Sequence, residues 1–504
     1  MKNLLYNLLF VLIVSIYTTL CFILPDFTDS PVSGVSTFIT LSSYVIALGV
    51  FQFLLVYLFC INKYVFSVIF PIYTLLGAVV SYYRVAYNAT ITPMLIDVTL
   101  HTHLGTVASV MSVYLILWVV FNLLITGLFV YYRRKKICFN IKTLTFLVVL
   151  SLFSLYYFTN SRLHNSINQR YPMNVVCSVK NYVGIEMQRN KPLTEINYTY
   201  SFSVDTLNVI VVLGEAMRAD HLSLNGYDRP TCPKLEKEKN VVSFPHIYSE
   251  YTYTTASLPH ILTPADSLNK DLAYSSHSFI HYFKKEGYST AWISNQDLGR
   301  SYSRYILESD TVVFPNADKT VFVFQPWYDE DLLTELNNIY DKQKNVKNLY
   351  VLHTIGSHWY YNNHVPDGFY CFRPLTDNRI ASNNSFEQMC NSYDNTIVYA
   401  DYILDSVISI FRSTPSVLMF LSDHGEALGE DGNYLHANDA DATHRPAAFV
   451  WYSDKYAEKY NNKIKALETN SSKCFNTDYF FYSVLSAAGI EADGNDKGFD
   501  IFMP

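Results

Sequence analysis

Apolar positions are spread unevenly along the chain. Five long apolar runs can be drawn in its first third, Leu4–Leu24, Val35–Cys60, Val65–Val85, Val107–Tyr131 and Leu144–Phe158. Most of them approach the ~20 residues that a bilayer core requires, so they predict five membrane-spanning helices. Leu4–Leu24 also fits a signal peptide, but Pro25 and Asp26 follow it instead of a small-residue cleavage pattern, and it reads as a retained anchor.

Beyond residue 160 the pattern changes. Short β-branched and aromatic runs recur at Leu207–Leu213, Ser289–Ser294, Leu349–Thr354, Val417–Ser422 and Ala447–Trp451. Helical periodicity separates them, as at Trp327–Tyr340 and Thr396–Phe411. Continuous apolar strands alternating with helices predict an α/β sandwich around a mostly parallel sheet. The expected organisation is a transmembrane domain over residues 1–160, a linker with an interfacial helix over 161–204, and an α/β domain outside the membrane over 205–504.

Charge adds an orientation. Lys2, Lys63 and the group Arg133, Arg134, Lys135, Lys136 and Lys142 fall on one side of an alternating five-helix arrangement, which places the amino terminus in the cytoplasm. The later domain then lies outside the membrane, which in a bacterium with two membranes would mean the periplasm. The outer loop Ala86–Thr106 reads either as a solvated turn or as part of a lipid entrance. A formal net charge of -7 and the absence of a basic stripe exclude nucleic acid as the main partner.

In parallel sheets ligands gather at the carboxyl ends of the strands. Glu215 follows the first run in GEAMRADH. His353, Thr354, Gly356, Ser357 and His358 end or follow the third, in LHTIGSHWYYNNH, and Asp423, His424 and Glu426 follow the fourth, in SDHGEALGEDGNYLH, which ends at His436. Carboxylate oxygen and neutral imidazole suit a borderline divalent ion such as zinc, although an isolated Asp-His pair also fits an ordinary strand cap. The segment YTYTTASLPHILTP, Tyr251–Pro264, supplies hydroxyls in a loop that leads into a helical turn.

Taken in order, GEAMRADHLSLNGYDRPTCPKL, TTASLPHILT, HTIGSHWYY, NSYDNTIVYAD and SDHGEALGEDGNYLH resemble the motifs of the bacterial phosphoethanolamine transferases, of the alkaline phosphatase and sulfatase superfamily. That resemblance implies a multi-pass inner-membrane enzyme with a sulfatase-like periplasmic domain, acting as a monomer. It implies Zn2+ bound by Glu215, Thr254, Asp423 and His424, with Thr254 as nucleophile. Thr255, adjacent in the motif, is the fallback. His358 and His436 match histidines that contact the phosphoethanolamine group. The implied reaction moves phosphoethanolamine from phosphatidylethanolamine, through a phosphorylated threonine, to lipid A or another glycan acceptor.

His353, Glu426, Asp441, His444 and Arg445 stay open as second-metal or orienting residues. The paired cysteines that often flank the nucleophile in the family are missing from Tyr251–His260. Of Cys177, Cys232, Cys371, Cys390 and Cys474, the preferred disulfide is Cys371 with Cys390, worth about 3 kcal/mol in the chain-entropy model. The alternatives are a phosphoglycerol transferase of the lipoteichoic acid synthase kind, whose nucleophile and histidine motifs differ, and an inactive membrane sensor of the same fold.

Overall fold

A computed structural model describes the chain apart from residues 1, 28–33, 88–89, 94, 97–112, 139–147, 149–150, 153, 155–166, 190–191, 202–204, 297, 300, 320–324, 344–345 and 494–497. It divides into two compact units, Met1–Val183 with Asp318–Gln325, and Gly184–Ala317 with Pro326–Pro504.

In the first unit, α1 (Lys2–Phe22), α2 (Val35–Cys60), α3 (Lys63–Tyr87) and α4 (Val113–Lys135) are apolar around most of their circumference. Among the described residues these four helices are long and apolar enough to cross a membrane. Most of the fifth expected span, 144–158, and most of the outer loop, 86–106, lie outside the described residues. Aromatic side chains, including Phe10, Phe66, Phe70 and Tyr73, knit the helices together. Arg133 has a structural task. Buried, it donates from Nε to Cys60 O at 2.7 Å and from Nη2 to Ile61 O at 3.1 Å, closing carbonyls at the end of α2 that no helical N–H reaches. The stretch expected to hold an interfacial helix contains α5 (Met173–Arg189).

The second unit is built on β1 (Leu207–Gly214), β2 (Val241–Ser243), β3 (Ser289–Ser294), β4 (Thr311–Val313), β5 (Lys347–His353), β6 (Ser416–Ser422) and β7 (Ala448–Tyr452). They form one seven-stranded sheet in the order β2-β7-β6-β1-β5-β3-β4. β1, β3, β4, β5 and β6 are parallel, and β7 runs antiparallel between β6 and β2. All five expected runs are strands of this sheet. The two short edge strands were not expected, because three half-buried residues carry too little pattern.

β1 is buried at every position because both faces are covered. Ile210 and Val212 share a core with Leu332 and Leu336 of α7 (Glu330–Tyr340) and with Leu404 and Ile408 of α8 (Phe386–Phe411). Helix Tyr479–Ala487 packs against β1 and β6. α8 starts ten residues before the expected Thr396, at a capping box in which Ser385 and Gln388 satisfy each other's backbone N–H. Its first turns are polar yet buried, which hides their periodicity: Asp394 pairs with His221 and Arg229, and Asn395 holds the Phe372 backbone.

The expected disulfide is not formed, and all eight cysteines are free. Cys390 sits on the inward face of α8 in the hydrophobic core, while Cys371 is exposed in a loop, so the two thiols belong to different environments.

Candidate active site

Four strand ends and one helix converge at the carboxyl edge of the sheet. At the end of β1 the chain turns sharply through Ala216, held at φ 56. A left-handed alanine is strained, and its neighbours compensate for it. Tyr393 Oη donates to Ala216 O at 2.7 Å and Met217 N donates to Ser422 Oγ at 2.8 Å. The turn leaves Glu215 fully buried and facing β6.

β6 delivers Asp423 and His424. Asp423 Oδ1 accepts from Ala216 N at 3.2 Å and from His424 N at 2.9 Å. His424 Nδ1 donates to Gly425 O at 2.8 Å, which leaves the Nε2 lone pair free. That Nε2 lies 3.4 Å from Glu215 Oε1 and 3.4 Å from Asp423 Oδ2. All three of these atoms are buried and none has a hydrogen-bond partner. Burial and the neighbouring Asp423 push the Glu215 carboxyl well above its ordinary range, and burial lowers His424. Three acceptor atoms facing one another in a dry site call for a cation, and two carboxylates with one imidazole are a donor set that zinc accepts.

The segment expected to carry the nucleophile forms a helix, α6 (Thr254–Leu262), preceded by Tyr253 in extended conformation. Thr254 Oγ1, at its first position, donates to Glu215 Oε2 at 2.9 Å. Thr255 is exposed, and its carbonyl accepts from Ser301 Oγ at 2.6 Å. The helix start thus brings Thr254 into the cluster and leaves Thr255 outside it.

His358 and His436 also reach the centre. One ligand atom each from Glu215, His358 and His436 lies within 4.8 Å of the others. The His436 ring is 4.7 Å from that of His424 and 5.7 Å from that of His358. Burial lowers His358, and the adjacent imidazoles of His436 and His364 lower it further, to about 3. Burial alone would lower His436 as well, but Glu426, with Oε2 3.0 Å from Nδ1, raises it to about 9. One imidazole is therefore held neutral beside one held cationic. Glu426 is itself fixed by Tyr361 Oη at 2.9 Å, which gives it an orienting role toward His436.

Of the other residues left open, His353 is buried next to Ser294 and His444 Nδ1 binds Ser249 O at 2.7 Å. Asp441 and Arg445 form an exposed ion pair. None of these three interactions belongs to the cluster. Two further residues do support it. Gln296, just past β3, donates to Glu215 Oε2 at 2.8 Å, so applying the strand-end rule to the second run would have found it. Asp329 accepts from Ile355 N and Gly356 N, fixing the loop that presents His358. No local signal in the sequence marks that contact.

Strand-end acids and imidazoles on a doubly covered, mostly parallel sheet define an α/β architecture with a candidate metal centre at its carboxyl edge. The Sulfatase family model matches residues 207–490. A phosphoethanolamine transferase EptA from Helicobacter pylori is 30% identical over 473 residues, covering 86% of each chain. Against the EptA of Salmonella typhimurium, at 32% identity, the match covers 58% of this chain and only 55% of the relative. The integral membrane EptA of Neisseria meningitidis superposes with a TM-score of 0.56 at 23% identity over 98% of this chain and 97% of its own. The periplasmic domain of Escherichia coli EptC in complex with Zn superposes with a TM-score of 0.55 at 23% identity, over 62% of this chain and 90% of that one. At these identities the two structures establish the fold. The chain belongs to the sulfatase family and, within it, to the phosphoethanolamine transferases.

Proposed function

We propose that this chain is a zinc-dependent enzyme of the bacterial inner membrane that transfers phosphoethanolamine from phosphatidylethanolamine to lipid A. The observation that carries this reading is the contact between Thr254 and Glu215 beside three partnerless buried ligand atoms. The names of the relatives supply the transferred group and the acceptor class.

Glu215, Thr254, Asp423 and His424 would hold the ion. Bound there, zinc supplies Lewis acidity, and by analogy with zinc-bound water this is worth on the order of 11 kcal/mol toward ionising a hydroxyl. The chain's own residues do the rest. Thr254 Oγ forms a bond to the donor phosphorus while the bond from phosphorus to the glycerol oxygen breaks, and diacylglycerol leaves with a proton. An acceptor oxygen then attacks the phosphoethanolaminated threonine, and Thr254 Oγ is released. His436, with Nδ1 held by Glu426, offers its Nε2–H to phosphoryl oxygens. His358, kept neutral, presents the lone pair of its free nitrogen to a donor on the bound headgroup, since Nδ1 donates to Trp359 O at 2.6 Å. Gln296 keeps Glu215 from rotating away during the cycle.

The test uses the full chain in detergent with phosphatidylethanolamine or phosphatidylglycerol carrying a labelled headgroup, and lipid A as acceptor. Transfer of label from phosphatidylethanolamine, lost on chelation and restored by Zn2+, is expected. Transfer from phosphatidylglycerol alone, or full activity after complete removal of metal, would overturn the reading.

A further inference from the structure

A second group of metal-ligating side chains lies outside the active site and shares no residue with it. One ligand atom each from Glu195, His277 and His281 lies within 4.8 Å of the others. The backbone holds them together. Thr194 N donates to Ser275 O at 2.7 Å and His277 N donates to Thr194 O at 3.1 Å, so the stretch carrying Glu195 is pinned beside the segment that carries both histidines.

The side chains are also oriented. His277 Nδ1 binds Glu308 Oε1 at 2.6 Å, and Ser278 N donates to Glu308 Oε2 at 3.0 Å, so that carboxylate is fixed from both oxygens. An imidazole whose Nδ1–H is taken by a carboxylate presents Nε2 as a lone pair, the arrangement typical of metal-binding histidines. Glu195 Oε2 accepts from Lys285 at 2.6 Å and Oε1 accepts from His281 Nε2 at 3.1 Å, a contact that a bound cation would replace. The His277 and His281 rings stack at 3.7 Å, 15° from parallel. Ligands of a tetrahedral zinc ion at ~2.0–2.1 Å are about 3.4 Å apart, which small side-chain rotations reach from the present separations.

We propose that Glu195, His277 and His281 form a second, solvent-accessible site for a divalent transition cation of the zinc type, with water completing the shell. An ion there would tie the stretch around Glu195 to helix Phe279–Lys285. The site is structural and independent of the proposed transfer reaction.

The test is zinc counting on the full chain in detergent, stripped by chelation and dialysed against graded Zn2+. Wild type is expected to take up one ion more than His281→Ala, with Glu195→Gln binding that ion at least about tenfold more weakly. Transfer activity, which none of these side chains serves, reports that the variants are folded. A second measurement needs no variant: modification of His277 and His281 by diethyl pyrocarbonate, mapped by peptide mass, should be suppressed by Zn2+. Equal zinc content in active wild type and His281→Ala, or equal modification of both histidines with and without Zn2+, would overturn the proposal.

Discussion

Thr254 Oγ1 donates a 2.9 Å hydrogen bond to Glu215 Oε2, and so links the first residue of α6 to the end of β1. Glu215 Oε1 is left facing His424 Nε2 with no hydrogen-bond partner. A single carboxylate thus connects the hydroxyl proposed to react with the atoms proposed to hold metal. Thr254→Ala is expected to lower transfer by at least about a thousandfold while leaving part of the zinc bound, because three ligands remain. Thr255→Ala should stay within about threefold of wild type, since its side chain is exposed. Phosphoethanolamine transfer assays beside metal analysis check both, and a reversed ranking would move the nucleophile to Thr255.

How much of this was legible in the sequence depends on how local each cause is. The five apolar runs announced their strands because a strand covered on both faces has no polar positions to confuse the pattern. Glu215, Asp423 and His424 were readable because they directly follow those runs. Thr254 and Thr255 could not be separated by the chain alone. What separates them is the turn from extended Tyr253 into α6, a tertiary outcome. Glu426 was ambiguous for the same reason: its role comes from Tyr361, 65 positions away, and from His436. The early turns of α8 were missed because Asp394 and Asn395 are buried through partners that lie far off in sequence.

Gly356 offers a test of how closely the site is packed. It sits at φ 50, and a Cβ there would meet Glu215 O at 3.0 Å and Glu215 N at 3.1 Å. Ala also pays a conformational penalty in this region, on the order of 1 kcal/mol. Gly356→Ala should therefore push on the Glu215 backbone and reduce transfer by at least about tenfold, a larger effect than its loss of stability implies. Kinetics together with thermal melting of the variant check this.

His353 gives a stability prediction with a definite sign. It is fully buried, and burial lowers it to about 3, so the folded protein holds it neutral. The unfolded chain protonates it near pH 6.5. The stability it contributes is complete above about pH 6.5 and is lost progressively as pH falls toward about 3, with a slope of up to about 1.4 kcal/mol per pH unit from this group. His353→Asn should therefore flatten the fall of melting temperature between about pH 6 and pH 4, even if it is less stable at neutral pH. An unchanged acid slope would show that His353 does not carry the proton linkage.

The pair His436 and Glu426 yields a prediction about rate. Glu426 accepts from Tyr361 Oη at 2.9 Å and faces His436 Nδ1 at 3.0 Å, and its charge offsets the burial that would otherwise lower His436. His436, raised to about 9, stays cationic across the neutral range and loses its charge as pH rises through that value. Glu426→Gln removes the negative charge but keeps the shape, so His436 should lose its proton at lower pH. The alkaline limb of the pH profile for kcat/KM is then expected to move toward acid, with transfer at pH 8 down by about tenfold and a smaller deficit at pH 6. Tyr361→Phe removes one hydrogen bond from Glu426 and leaves the carboxylate charged, so its profile should keep the wild-type position with a uniformly lower rate. If both variants lost rate equally at every pH, Glu426 would be acting through packing and not through the charge of His436.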